Sequence, residues 1–208
     1  MSGKIKSDIN TLWEIFLMGD DKAFSGIYYT FINPLLTYGK KLTLDTGMLQ
    51  DALQEVFMDL YQKRNKLHTP ISNLKSYLFI ALKNNLVKKL LQNRKFEDKE
   101  VDDSVMGEFN IEYSFLDQQI IREISEEKRM RLQRAIVSLS SGQKEIIYLK
   151  FEEDLGYKEI AVLMNVTVES ARKQLYRALL SLRETIDNES FKIFLSFFIK
   201  KSSKNCPC

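Results

Sequence analysis

Residues 141–184, SGQKEIIYLKFEEDLGYKEIAVLMNVTVESARKQLYRALLSLRE, hold the side chains best spaced to do chemistry. Read as a helix from residue 168, the stretch turns Glu169, Ser170, Arg172, Lys173, Tyr176 and Arg177 outward. Arg and Lys pair with guanine edges or with phosphates, and Ser with either. The elements that must position them are also legible. YKEIAVLM reads as a short helix and NVT as a tight turn. Thr167 then caps a second helix, with Glu169 in its first turn, where the helix dipole favours an acid. Ile160, Ala161, Leu163 and Met164 form an inward face on the first helix. Val166, Ala171, Leu175, Ala178, Leu179 and Leu182 form one on the second. This is a helix-turn-helix. An ordinary helical hairpin with a solvated outer face shares the outline. The cap, the turn, the two packing faces and the outward cations together point to duplex DNA.

A second constellation lies upstream. Residues 60–96 contain nine Lys and Arg and no acid, a block of net charge +9. Aromatics are interleaved with its cations, which suits a polyanion-binding surface better than a merely solvated helix face. Holding single-stranded nucleic acid requires cations along the phosphates and faces on which unstacked bases can rest. Lys75, Lys83 and Lys88 supply the first, Tyr77 the second, and Asn84 a polar reader. Phe79 has the same chemistry, although an aromatic at helical spacing more often serves the core. A third set, Asp51, Gln54, Glu55, Asp59 and Gln62, lies opposite the apolar stripe of residues 49–63. On composition alone it is a solvated face.

Composition bounds the alternatives. The 208 residues carry net charge +3, 44% apolar and 11% aromatic side chains, enough for a packed core. Eight Gly and three Pro supply too little turn material for an all-β fold. Two Cys, at 206 and 208, and one histidine, His68, exclude a disulfide scaffold and an internal His-based zinc site. No metal and no cofactor is expected. No Walker loop, dinucleotide-binding glycine pattern or His-Glu pair is present, so neither an enzyme nor a small-molecule substrate is expected. The N-terminus lacks a signal-peptide apolar stretch, and no run approaches the ~20 apolar residues of a membrane span, which predicts a cytoplasmic protein.

Apolar periodicity predicts helices over 8–18, 22–43, 49–63, 73–94, 118–138, 141–152, 157–164 and 168–186, with Pro34 kinking or splitting the second. Residues 97–127 carry eleven acids and two bases, a net charge of −9, and read as a linker. The expected fold is all-α: two helical domains, 8–96 and 128–186, joined by an acidic linker, the second containing the helix-turn-helix. Residues 187–208 form a hydrophobic and then basic tail. The linker is either a solvated spacer or a shield folded back on the basic block.

With these residues in place, the chain resembles the extracytoplasmic-function sigma factors of bacterial RNA polymerase, in the sigma-70 family. Leu139, Gln143-Lys144-Glu145, Tyr157, Glu159-Ile160-Ala161, Arg177-Ala178, Leu182 and Arg183 follow the pattern of that family's fourth region. DALQEVFMDLY (51–61) resembles its core-polymerase-binding helix, and NLKSYLFIALKNNLVKKLL (73–91) its promoter-melting helix. The resemblance implies a factor that binds core polymerase and directs promoter-specific initiation. Asp51, Gln54, Glu55 and Met58 would meet the coiled coil of the largest subunit, with the flap as a second contact. His68, Thr69, Lys75, Tyr77, Lys83, Asn84 and Lys88 would hold the minus-ten strand. Thr167, Glu169, Ser170, Arg172, Lys173, Tyr176 and Arg177 would read the minus-thirty-five duplex. Promoter DNA and core RNA polymerase are the implied partners, and an anti-sigma factor is a further one. A helix-turn-helix regulator acting without polymerase is the rival; it leaves residues 51–61 and the acid-free block unexplained. Three positions depart from the pattern: Gly156 stands where a Ser or Thr often caps, Asn165 where the turn often has Gly, and Tyr77 where Trp is common. The tail FKIFLSFFIKK (191–201) would cap the C-terminal core, bind an anti-sigma protein or rest on a membrane surface.

Overall fold

The computed structural model describes residues 9–64, 73–96, 109, 126–189 and 191–192. The chain divides into two compact units, Met1–Gly107 and Glu108–Cys208. Among the described residues there is no β-strand, so the fold is all-α as expected. His68, Thr69 and nearly all of 97–125 lie outside the described residues, as do the tail residues from 193 onward.

In the first unit α1 spans Ile9–Leu17, α2 Asp21–Leu42, α3 Thr46–Lys63 and α4 Leu74–Phe96. Their starts follow capping chemistry. Asp20 Oδ1 accepts from the backbone N–H of Lys22 (2.6 Å) and Ala23 (3.2 Å), satisfying two of the donors a helix start leaves orphaned. Asp45 Oδ1 accepts from Met48 N–H (2.9 Å), and Asn73 Oδ1 from Ser76 N–H (3.0 Å), in the same way. Of the kink or split expected at Pro34, the split does not occur: the helix runs unbroken to Leu42. The missing proline N–H orphans the carbonyl of Thr30, an exposed residue where water can replace the lost bond. Ile27 and Phe31 before the proline, and Leu35, Tyr38 and Leu42 after it, are all buried, which holds both halves to one core. α2 packs against α1, α3 and α4, and α3 against α4. Phe79 is fully buried, its ring 5.1 Å from that of Tyr38, so it belongs to this core.

The second unit contains α5 (Glu126–Ser138), α6 (Ser141–Ile147), a π-helical turn (Tyr148–Glu152), α7 (Tyr157–Leu163) and α8 (Val168–Thr185). Residues 118–125, predicted as the start of α5, lie outside the described residues. Ser140 and Gln143 form a reciprocal capping box on α6, the Ser140 hydroxyl accepting from Gln143 N–H and the Gln143 side chain from Ser140 N–H. The turn before α8 places Asn165 at φ 54°, the left-handed conformation that Asn tolerates in place of Gly. Gly156 stands at the N-cap of α7 without a side-chain cap. α5, α6 and α7 all pack on α8, through Ala171, Leu175, Ala178 and Leu182. Val166, predicted to face inward, is 37% exposed. It sits in the turn rather than on the helix, so the helical spacing that placed it inward does not apply.

Two features were invisible to periodicity. The Tyr148 hydroxyl donates to Glu153 Oε1 across 2.6 Å, both residues being buried. Burial and the adjacent carboxylates push the Tyr148 phenol upward from its ordinary value, so the ring stays protonated and keeps donating. Phe109, inside the stretch read as a linker, is buried in this unit; its N–H donates to Ser141 Oγ (2.9 Å) and its ring lies 5.9 Å from Tyr148.

Two stability predictions result. A Cβ on Gly39 of α2 would run into the Leu49 side chain of α3. Gly39→Ala is therefore expected to destabilise the chain by about 1–3 kcal/mol through overpacking, despite alanine's better helix propensity; denaturant midpoints measure it. Tyr148→Phe strips a hydroxyl donor from buried Glu153 and is expected to cost about 1–3 kcal/mol in the same assay, with loss confined to melting of the second unit.

Candidate nucleic-acid interface

The outer face of α8 is built by its inner one. With Ala171, Leu175, Ala178 and Leu182 buried, the helical period turns Glu169, Ser170, Arg172, Lys173, Tyr176 and Arg177 to solvent, and all six are exposed. Thr167 Oγ1 accepts from Ser170 N–H (3.1 Å) and donates to Ser170 Oγ (2.8 Å), so these two residues set the start of the helix. Glu169 and Lys173, both offered by the sequence as DNA contacts, pair with each other at 2.6 Å. Such an exposed i, i+4 pair is worth only about 0.3–0.5 kcal/mol, little enough for a phosphate to displace the carboxylate. Arg172 and Arg177 form no ion pair among the described residues, and Tyr176 is 68% exposed. The Arg172 guanidinium carbon lies 5.4 Å from the centroid of Tyr157, the first residue of α7.

In the first unit, α3 presents two faces. Towards α2 its polar residues border an apolar groove of about 610 Å³, with Phe24, Tyr28, Phe57 and Met58 on its walls and Gln54 at its edge. Met58 is 50% exposed there. Asp51 is exposed on the same helix. Towards α4 a second groove of about 380 Å³ brings Tyr77, Asn84 and Lys88 together with Glu55 and Lys63. Three of the predicted strand-holding residues thus share one groove. Lys75 stands apart, its ammonium 5.7 Å from the Phe79 ring centroid, and Lys83 is half-buried.

Glu55 is not simply solvated, and nothing in residue spacing announced this. Its Oε2 accepts from Asn85 Nδ2 and its Oε1 from Lys89 Nζ, each at 2.6 Å. The carboxylate of α3 is therefore tied to two residues of α4. The Lys89 and Asn85 hydrogen bonds lower the Glu55 pKa from its ordinary value of 4.5. Asn85 also lines the groove, and its Oδ1 is buried without a hydrogen-bond partner. The signal that could have found the tie is the excess of cations on 73–94 beside the acids of 51–59.

Comparison with known proteins now bears on these surfaces. The family model "Sigma-70, region 4" matches residues 129–182, which hold α6, the π-turn, α7 and nearly all of α8. The chain is 27% identical over 176 residues to the ECF RNA polymerase sigma-E factor of Escherichia coli, covering 82% of this chain and 88% of that one. It is 25% identical over 154 residues to the ECF RNA polymerase sigma factor SigM of Bacillus subtilis, covering 73% and 88%. Together these matches support an ECF member of the sigma-70 family. Solved structures agree at the level of fold. RpoE of Bartonella quintana, solved with the anti-sigma factor NepR, superposes with TM-score 0.53 at 20% identity, over 79% of this chain and 96% of that one. CnrH, solved with the cytosolic domain of CnrY, gives TM-score 0.52 at 15% identity, over 84% and 95%. Residues 129–182 of the second unit thus correspond to the DNA-binding region 4. No described helix is long and apolar enough to cross a membrane, and no described cluster of His, Cys, Asp or Glu fits a metal ion.

The Glu55 tie has a pH signature. A carboxylate with a depressed folded-state pKa stabilises above its unfolded value, and that stability is lost as pH falls through the folded value. The stability difference between the wild type and Glu55→Gln is expected to be largest near neutral pH, to shrink as pH falls below the ordinary carboxylate value of 4.5, and to vanish only below the lowered folded-state value. Because the pair is solvent-screened, the neutral-pH difference is expected to stay within about 1 kcal/mol. Paired melts at neutral and acid pH check both statements.

Proposed function

We propose that this sigma factor binds core RNA polymerase through α3 and reads a promoter with two surfaces. Asp51, Gln54, Glu55 and Met58 meet the coiled coil of the polymerase's largest subunit, Met58 and the apolar groove beside it adding buried area to the polar contacts. Region 4 docks on the flap and lays α8 in the major groove of minus-thirty-five DNA, where Arg172 and Arg177 read base edges. Lys173 and Thr167 take phosphates, and Ser170 and Tyr176 border the contact. Glu169 lies among these cations and, in the N-terminal turn of α8, disfavours a misplaced phosphate. Lys75, Tyr77, Lys83, Asn84 and Lys88, with His68 and Thr69 of the preceding segment, hold the opened minus-ten strand. Initiation takes place in the cytoplasm, and an anti-sigma factor restrains the free protein, as the relative solved with NepR suggests. The protein itself catalyses no reaction. The polymerase supplies the chemistry, and this chain supplies address and strand opening.

The observation that carries the reading is the presence of a cation-bearing recognition helix in one unit and an outward acidic helix beside a basic one in the other. A regulator acting without polymerase has no use for the second. Affinity capture by core polymerase tests it. Asp51→Lys combined with Gln54→Ala is expected to weaken core binding at least tenfold while the full chain still binds its duplex site. Arg177→Ala is expected to cost about 1–3 kcal/mol at one base pair of that site. Core affinity unchanged in the first variant, with duplex binding intact, would return the chain to the class of polymerase-independent regulators.

A further inference from the structure

We infer that Tyr157, which lies outside the recognition helix, is a positioning residue that sets base specificity by holding the Arg172 guanidinium before DNA arrives. The inference rests on the reading that α8 enters the major groove. Its observation is a ring shared by two cations. The Arg172 guanidinium carbon is 5.4 Å and the Lys150 ammonium 5.5 Å from the Tyr157 ring centroid. Both distances are within the ~6 Å over which the negative face of an aromatic ring attracts a cation.

The geometry suits positioning because a ring face attracts the guanidinium charge without accepting from its N–H groups as a carboxylate would. Arg172, 5.4 Å from the Tyr157 ring centroid, keeps its five N–H donors for a guanine edge. A carboxylate would take those donors, and the nearest on its own helix, Glu169, is taken by Lys173 instead. An unsupported arginine on an exposed helix face must be ordered on binding, at about 0.5–1.5 kcal/mol for a side chain of this kind. A ring that holds it beforehand removes part of that cost, and only for the base that accepts the held orientation.

The ring is itself held from an unusual piece of backbone. Lys150 lies in the π-helical turn Tyr148–Glu152, and its ammonium donates to the Leu155 carbonyl (3.1 Å) besides lying over Tyr157. The chain between them turns through Asp154 at φ 51°, a left-handed residue, with Leu155 N–H donating to Leu149 O (3.0 Å). The buried Tyr148–Glu153 bond closes the same turn. π-turns persist where they serve a function. Here the turn brings Lys150 back onto the loop that delivers Tyr157, and through Tyr157 it reaches the reading face of α8.

The test uses the full chain and a randomised duplex library, sequencing the bound fraction to obtain preferences at each base pair. Arg172→Ala is expected to flatten preference at one base pair. Tyr157→Leu is expected to flatten the same base pair, reducing discrimination about three- to tenfold, the fold-change equivalent of the ordering cost. Tyr157→Phe keeps the ring and is expected to keep the preference. Tyr157→Leu added to Arg172→Ala is expected to change nothing further at that position. If Arg172→Ala flattens a base pair but Tyr157→Leu lowers all sequences alike, Tyr157 is a structural or phosphate-contacting residue and the inference is overturned. If Arg172→Ala changes no preference, the recognition reading of α8 fails and takes this one with it. A misfolded variant does not shelter the idea, because the wild type carries its own readout. The Arg172 side-chain protons must show an upfield ring-current shift in NMR spectra of wild type and Tyr157→Phe, and its absence from the wild type refutes the contact.

Discussion

The rotational phase of α8 is the constraint on which the exposed cationic surface of the second unit depends. Ala171, Ala178 and Leu182 are fully buried, and Leu175 nearly so, while α5, α6 and α7 all pack against them. A helix gripped from three sides by such a stripe cannot rotate without exposing apolar area, at roughly 25 cal/mol per Å². Each exposed cation is thereby aimed by a buried neighbour one or two residues away. The small residues matter as much as the large ones. Gly142 of α6 lies so close to the Gln174 amide of α8 that a Cβ there would crowd it. The exposed cationic face is the complement of a packing face, and a mutation in either moves both.

In the first unit α3 plays the corresponding part, but with three functions around one helix. Leu49, Ala52, Leu53, Val56, Phe57 and Leu60 are its core face. One flank borders the apolar groove with α2, and the other ties to α4 through Glu55. The unit thus holds its acidic helix and its basic helix in register by the same charges that mark them as interaction surfaces. That arrangement has an electrostatic consequence. Lys89 is partly neutralised by Glu55, whereas Lys88, one residue earlier, is exposed in the groove beside Tyr77 and Asn84. Adjacent lysines on one helix therefore present different charge to an approaching strand.

Much of this was legible beforehand, for a local reason. Capping, turn chemistry and the 3.6-residue period act within about a dozen residues. The predicted Thr167 cap, the left-handed Asn165 and the outward set on α8 therefore stand as read. The same locality explains the misses. Val166 was counted on a helix it precedes. Pro34 was expected to kink or split a helix that long-range burial on both of its sides keeps continuous. Phe109 sits in an acidic stretch whose composition says linker, and no local rule foretells that one aromatic there packs on Tyr148.

By itself, then, the amino-acid sequence determined the helical class, the inward and outward residues of the long helices, and the family, because each depends on residue order along one element. Tertiary structure alone decided which outward residues meet. Residues 55 and 89 stand on separate helices, and so do 157 and 172, and 148 and 109 are separated by most of a helical hairpin. Contacts of that kind arise from how helices cross and from side-chain directions at the crossing. Neither quantity is encoded in spacing within a single helix. The π-turn is the clearest instance: its one-residue widening leaves no periodic signature in YLKFE, yet it brings Lys150 over the ring of Tyr157.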